Sequence, residues 1–315
     1  MYAGEKGIHG AILSYLSLKK ENFYMVENTV DGKFFVTARG WEDLSEILKS
    51  YEELQVEIGE ELIGEFLQKE EIARDFAGYY RLYEKYKSDY QIQEILDGNV
   101  TTRQLKTCCD MGKKASFEER FTVTEMLLEA VTERISVFQK TDEKTEKLYE
   151  NLKLLKFFLQ EKNSVEAMEQ FVISRRKALD AKICSELLTA EEAAREEEQI
   201  RILEEYFFQL KELHISDVAE GIEQIGERFG NVCRLRNEKL EETKKMLEQA
   251  FSFLEECFGE GQELLLFETG LTGDDRCSIF ISQYGCPSYF KHCELLLYSK
   301  KENELRKECR DLLEE

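Results

Sequence analysis

The sequence predicts a mainly α-helical fold. A small helical domain with one β-hairpin comes first, long antiparallel helices follow as a bundle or coiled-coil-like region, and a short-helix tail ends the chain. Three observations carry this. One proline, Pro287, and 18 glycines occur in 315 residues, so little interrupts a helix. Glu, Lys and Leu fill long stretches in which apolar residues recur at three and four. One stretch alone, "NFYMVENTVDGKFFVTAR", turns to apolar and β-branched residues around Asp31-Gly32, a hairpin-turn signal.

The elements follow in order. Residues 5–20 read as a helix with Ile8, Ile12, Leu13 and Leu16 on one face. Strands are expected at 23–28 and 33–37, then helices at 41–54, 58–67 and 69–88. In the next helix Trp41, Leu44, Ile47, Leu48 and Tyr51 share the spacing of one buried face. Phe76, Tyr79, Tyr80, Tyr83, Tyr86 and Tyr90 read as packing residues before they read as a ligand cage. This block, residues 1–98, forms one domain, and 99–115 is read as a linker around Cys108-Cys109 and Gly112. Long helices are expected over 116–140, 142–162, 164–188, 190–213 and 216–258. Ser116, Thr141, Ser164, Thr189 and Ser216 stand at their starts, and Ser116 with Glu119 reads as a capping box. The tail, 259–315, reads as small helices that fold back on the body, with a last helix from about 300.

Hydrophobic content of 42% is that of a folded chain. A net charge of -22 disfavours nucleic acid, whose phosphates need a basic surface. No apolar run approaches the roughly 20 residues of a membrane span. "MYAGEKGIHG" lacks the apolar core of a signal peptide, so the expected compartment is the cytoplasm, with reduced thiols. The nine cysteines (108, 109, 184, 233, 257, 277, 286, 293 and 309) show no CxxC pair and no zinc tetrad. Cys286, His292 and Cys293 are close together but lack a second half, so no metal is assigned. No GxSxG elbow or HExxH pair occurs, and Asp274-Asp275 reads as a polar turn. No catalytic residue is assigned.

The candidate site is "TARGWEDLS", residues 37–45, which holds the only tryptophan. Arg39 is read as projecting from a helix start, with Glu42 and Asp43 in the first turn. A cation there opposes the helix dipole unless an anion compensates it. Two readings remain: Arg39 meets an anionic ligand, or it is an exposed residue flanking a buried Trp41.

This segment, with the run "EILKSYEELQVEIGEELIGEFLQKEEIARDFAGYYRLYEKYKSDYQIQEIL" after it, resembles the sensor-2 and lid region of MoxR-type AAA+ ATPases. The resemblance covers the first third of the chain well and the rest loosely. It implies that Arg39 reaches the ATP γ-phosphate, supported by Thr37, Gly40 and Trp41. The common family pattern has proline before the arginine, where this chain has Ala38. It further implies protein remodelling by a ring-shaped homo-oligomer, often with a von Willebrand A-domain partner. The phosphate cradle GxxxxGK[ST] is missing: Gly32-Lys33 and Gly112-Lys113 lack the upstream glycine and the Ser or Thr. "LLLFE" imitates a metal-binding strand only weakly. ATP and Mg²⁺ are therefore expected only through a nucleotide-binding αβ domain, upstream or on a separate chain. This chain alone is expected not to hydrolyse ATP. The rival reading is a stand-alone, non-enzymatic helical scaffold.

Overall fold

The computed structural model describes residues 7–29, 32–159 and 163–297. It is mainly helical, with one two-stranded antiparallel sheet among the described residues. Two compact units divide the chain. One contains residues up to Ile135 together with those from Lys244 onward; the other is Ser136–Thr243.

In the first unit, α1 (Gly10–Leu18) leads through a 3₁₀ turn (Lys20–Phe23) into β1 (Met25–Thr29) and β2 (Gly32–Val36). Met25 pairs with Val36 and Glu27 with Phe34, the register of a hairpin. The expected Asp31 turn lies partly outside the described residues. α1 starts later than the sequence suggested, because the His9 Nδ1 caps it by accepting from the Ala11 N–H. Its buried face is Ala11, Ile12, Ser14 and Tyr15, whereas Ile8, Leu13 and Leu16 are half-buried. Helices α2 (Ala38–Glu53), α3 (Glu60–Phe66), α4 (Glu70–Tyr90) and α5 (Ile92–Asp97) follow.

The stretch read as a linker differs. Residues 102–112 form α6 (Thr102–Gly112), started by a capping box between Thr101 and Gln104. Cys108 and Cys109 are buried in it, and the Cys108 thiol faces the Asp89 and Tyr90 carbonyls. Turn-forming Gly112 misled the sequence reading: it ends α6 beside the Phe258 ring. The division between units accordingly falls not at 99–115 but within α7 (Phe117–Phe158) and α10 (Val218–Phe258).

α7 replaces the two helices expected over 116–140 and 142–162. Thr141 is no cap there. Its hydroxyl donates to the Val137 carbonyl one turn back, a bond a threonine makes inside a helix. Ser116 does accept the Glu119 N–H, but the Glu119 carboxylate accepts from Tyr90 and does not return to close the box. α8 (Ser164–Cys184) is capped by Asn163, α9 (Ala190–Glu212) by the Thr189–Glu192 capping box, and α10 by Asp217. Thr189 stands where the sequence placed a start; Ser164 and Ser216 each sit one residue from the true cap.

In the second unit α8 and α9 run antiparallel, as the Arg176–Glu204 and Lys182–Glu196 ion pairs show by stepping in opposite directions. The Phe158 and Phe171 rings meet edge to face, and Leu203, Tyr206 and Leu210 complete that core. The tail supplies α11 (Gln262–Gly273), α12 (Asp275–Tyr284) and α13 (Pro287–Leu297) to the first unit. Asp274 caps α12 and pairs with Arg276, so the Asp274-Asp275 pair is a helix start. The expected helix from 300, and Cys309, lie outside the described residues. No described helix is long and apolar enough to cross a membrane.

Burial sorts the thiols. Cys184 is exposed, while Cys108, Cys109, Cys257, Cys277 and Cys286 are buried. Burial pushes the Cys277 and Cys286 thiols up to about 12, and Cys257 higher still. Since the thiolate is the reactive form, Cys184 should label ahead of the other described thiols with a maleimide. The five buried thiols should react about 10²-fold more slowly until denaturant is added. Mass spectrometry of the labelled peptides checks this, and fast native labelling of Cys257 contradicts it.

Candidate functional site

The site is built where the hairpin hands over to α2. Thr37 is the last extended residue, and its Oγ1 accepts the Gly40 N–H at 3.2 Å. The helix therefore starts at Ala38. Arg39 lies inside the first turn, where the sequence reading had it just before the helix, and Glu42 and Asp43 fall one turn further on. Arg39 is 88% exposed, with its Nε 3.7 Å from Asp43 Oδ2.

Trp41 takes the opposite role. It is 2% exposed and lies edge to face on Phe76, with ring centroids 5.2 Å apart. Its ring also meets Tyr15 at 5.8 Å, and its Nε1–H donates to the Asn22 carbonyl at 3.3 Å. Asn22 in turn donates to the Tyr15 hydroxyl, which donates to Asp75 Oδ2 at 2.7 Å. Lys19 bonds the same Asp75 oxygen at 2.6 Å. Burial, with Asp75 alongside, pushes the Tyr15 phenol far up. Gly40 permits the remaining close contact. A Cβ there would stand 2.7 Å from the Phe66 carbonyl oxygen, so the α2 start can lie against the α3 end only with glycine.

The far end of α2 is pinned as well. The His9 N–H donates to Ser45 Oγ at 2.9 Å, and its Nε2 lies 2.8 Å from Glu52 Oε1. Tyr80 and Lys87 of α4 bond the same carboxylate. Burial works against the Glu52 charge, but the hydrogen bonds and charges of His9 and Lys87 outweigh it and hold it at about 2.

The four residues singled out from sequence are thus brought together, with Thr37, Gly40 and Trp41 as a mount and Arg39 facing solvent. Sequence reasoning missed the seat: Tyr15, Asn22, Phe66 and Asp75. These contacts span up to 60 positions, and no local pattern marks them. Of the α4 tyrosines, Tyr80, Tyr83, Tyr86 and Tyr90 are buried and Tyr79 is half-buried, yet several hydroxyls bond carboxylates. Tyr83 donates to Glu129 and Tyr90 to Glu119. Among the described residues the site presents one exposed cationic head, loosely paired with Asp43, and no second group beside it to carry out chemistry on an anion.

A separate polar cluster lies in the tail. His292 bonds Glu255 and stacks on Phe251 at 5.8 Å, and Cys286 faces Glu248, not His292. Among the described residues no group of three His, Cys, Asp or Glu side chains is arranged to hold a metal ion. Glu268, 2% exposed, has neither carboxylate oxygen hydrogen-bonded. Burial raises its pKa, against the opposing charge of His292. A raised folded-state pKa contributes stability that is complete below the unfolded value, about 4.3, and is lost as pH rises through the folded value. Glu268→Gln should therefore gain on the wild type as pH rises from 4 to 8, by on the order of 1 kcal/mol. Urea melts across that range check it; a gap that is constant with pH contradicts it.

No family model, curated protein or solved structure matches the chain.

Proposed function

We propose that the chain is the lid and helical extension of a MoxR-like AAA+ ATPase, coupling ATP binding and hydrolysis on another domain to protein remodelling. The observation that supports this reading is Arg39: a fully presented guanidinium on a helix start whose neighbours on both sides are fixed. The nucleotide-binding domain, upstream or on a partner chain, supplies the phosphate cradle and Mg²⁺ that this sequence lacks. Arg39 contributes one cationic contact to the γ-phosphate, where an arginine stabilises charge on the transferring group. In the same reading the assembly is a homo-oligomer in the cytoplasm, and von Willebrand A-domain proteins are candidate partners.

The test is ATP turnover. The purified chain should show none, and the assembly isolated from its source should depend on Arg39. Turnover by the chain alone, or an assembly indifferent to Arg39→Ala, overturns the reading. The second outcome favours the scaffold alternative, which the hairpin supports: Tyr24, Val26 and Phe35 expose apolar surface there.

A further inference from the structure

Arg39 sits at the positive end of the α2 dipole, where a cation is disfavoured unless an anion lies near. The structure supplies that anion. Asp43, one turn along the same helix, holds its Oδ2 at 3.7 Å from the Arg39 Nε, and it is the ion-pair partner that Arg39 has among the described residues. Both side chains are open to solvent, at 88% and 55% exposure, so the pair can part without disturbing the core. The backbone that carries them cannot shift so readily, since Trp41 between them and Leu44 just beyond are buried.

We propose that Asp43 is the resting counter-ion of Arg39, an internal competitor that a phosphate must displace, and that it lowers the affinity of the assembly for ATP without altering the turnover rate. The inference rests on the reading of Arg39 given above. Asp43 acts through Arg39: it holds the guanidinium back along the helix, so the phosphate must part the pair before it meets the guanidinium. An exposed pair of this spacing is weak, so the competition is modest and is screened by salt.

The experiment is a double-mutant cycle in the intact assembly, with Asp43→Asn, Arg39→Ala and both together. Calorimetry with a non-hydrolysable ATP analogue gives the Kd, and steady-state assays with ATP give kcat and KM. At low salt, Asp43→Asn should tighten the Kd roughly two- to threefold and leave kcat unchanged. The gain should vanish at 0.5 M NaCl, and it should be absent in the Arg39→Ala background. An unchanged Kd at low salt, or the same tightening without Arg39, overturns the proposal while leaving the Arg39 reading intact. If Arg39→Ala itself leaves turnover and Kd untouched, that reading falls and this inference with it. Thermal unfolding of each variant should match wild type, since both side chains are on the surface.

Discussion

Trp41→Ala is expected to destabilise the first unit by about 3–5 kcal/mol, the cost of emptying a large aromatic site. Three contributions add. The indole leaves a cavity between Phe76 and Tyr15, which cannot close because both rings are held by other contacts. The edge-to-face contact with Phe76 is lost, worth about 0.5–1.5 kcal/mol beyond buried area. The Asn22 carbonyl loses its donor and, behind it, the Tyr15–Asp75 pair loses its neighbour. Trp41→Phe should recover part of the loss, since it restores a ring but not the N–H. Denaturant melts of the three proteins measure it. A loss under about 1 kcal/mol for the alanine variant would mean that the pocket collapses or that the indole is not the anchor described.

Arg39→Ala should behave in the opposite way. An 88% exposed side chain with one weak partner contributes within about ±0.5 kcal/mol to stability. Under the proposed function, however, ATP turnover of the assembly falls by roughly 10³, as for arginines that contact a transferring phosphoryl group. That corresponds to about 4 kcal/mol of transition-state stabilisation. Arg39→Lys should restore little, because an ammonium cannot reproduce the planar fork of the guanidinium. The two variants two residues apart thus separate mount from head. One loses stability first; the other loses activity with the fold intact. An Arg39→Ala assembly that turns over at the wild-type rate leaves the chain as a scaffold.

The helices and the hairpin were legible because their signals are local: period-three-and-four stripes, a turn flanked by β-branched residues, and few breakers. Thr189 with Glu192 marks a helix start at the positions expected. Boundaries failed where a residue has two uses. Thr141 looked like a cap, but its hydroxyl is satisfied by Val137 within α7. Gly112 looked like a linker residue, but it closes α6 against Phe258. The buried role of Trp41 was readable from its helical face, and Arg39 stood out by its position on a helix start. The seat beneath them was not, since Tyr15 to Asp75 and Gly40 to Phe66 are contacts of tertiary structure, invisible to spacing along the chain. The unpaired Glu268 carried no signal either: one glutamate among many becomes unusual only when a fold buries it.

The first unit is assembled from two stretches with 136–243 between them. Arg120 reaches Glu263, Thr132 meets Cys277, and Tyr90 meets Phe253 across that interval. On a ribosome, α4 and α7 are therefore complete before their distant partners exist. At about 5–20 residues per second, the segment Lys244–Glu315 takes several seconds more to appear. During that interval Tyr90, Leu128 and Thr132 have no lid over them, whereas the α8–α9 hairpin, closed by a short turn, needs nothing further. Synthesis thus exposes an apolar half-core for seconds. A nascent chain halted before Lys244 should carry a protease-resistant α8–α9 region and a chaperone-accessible N-terminal block.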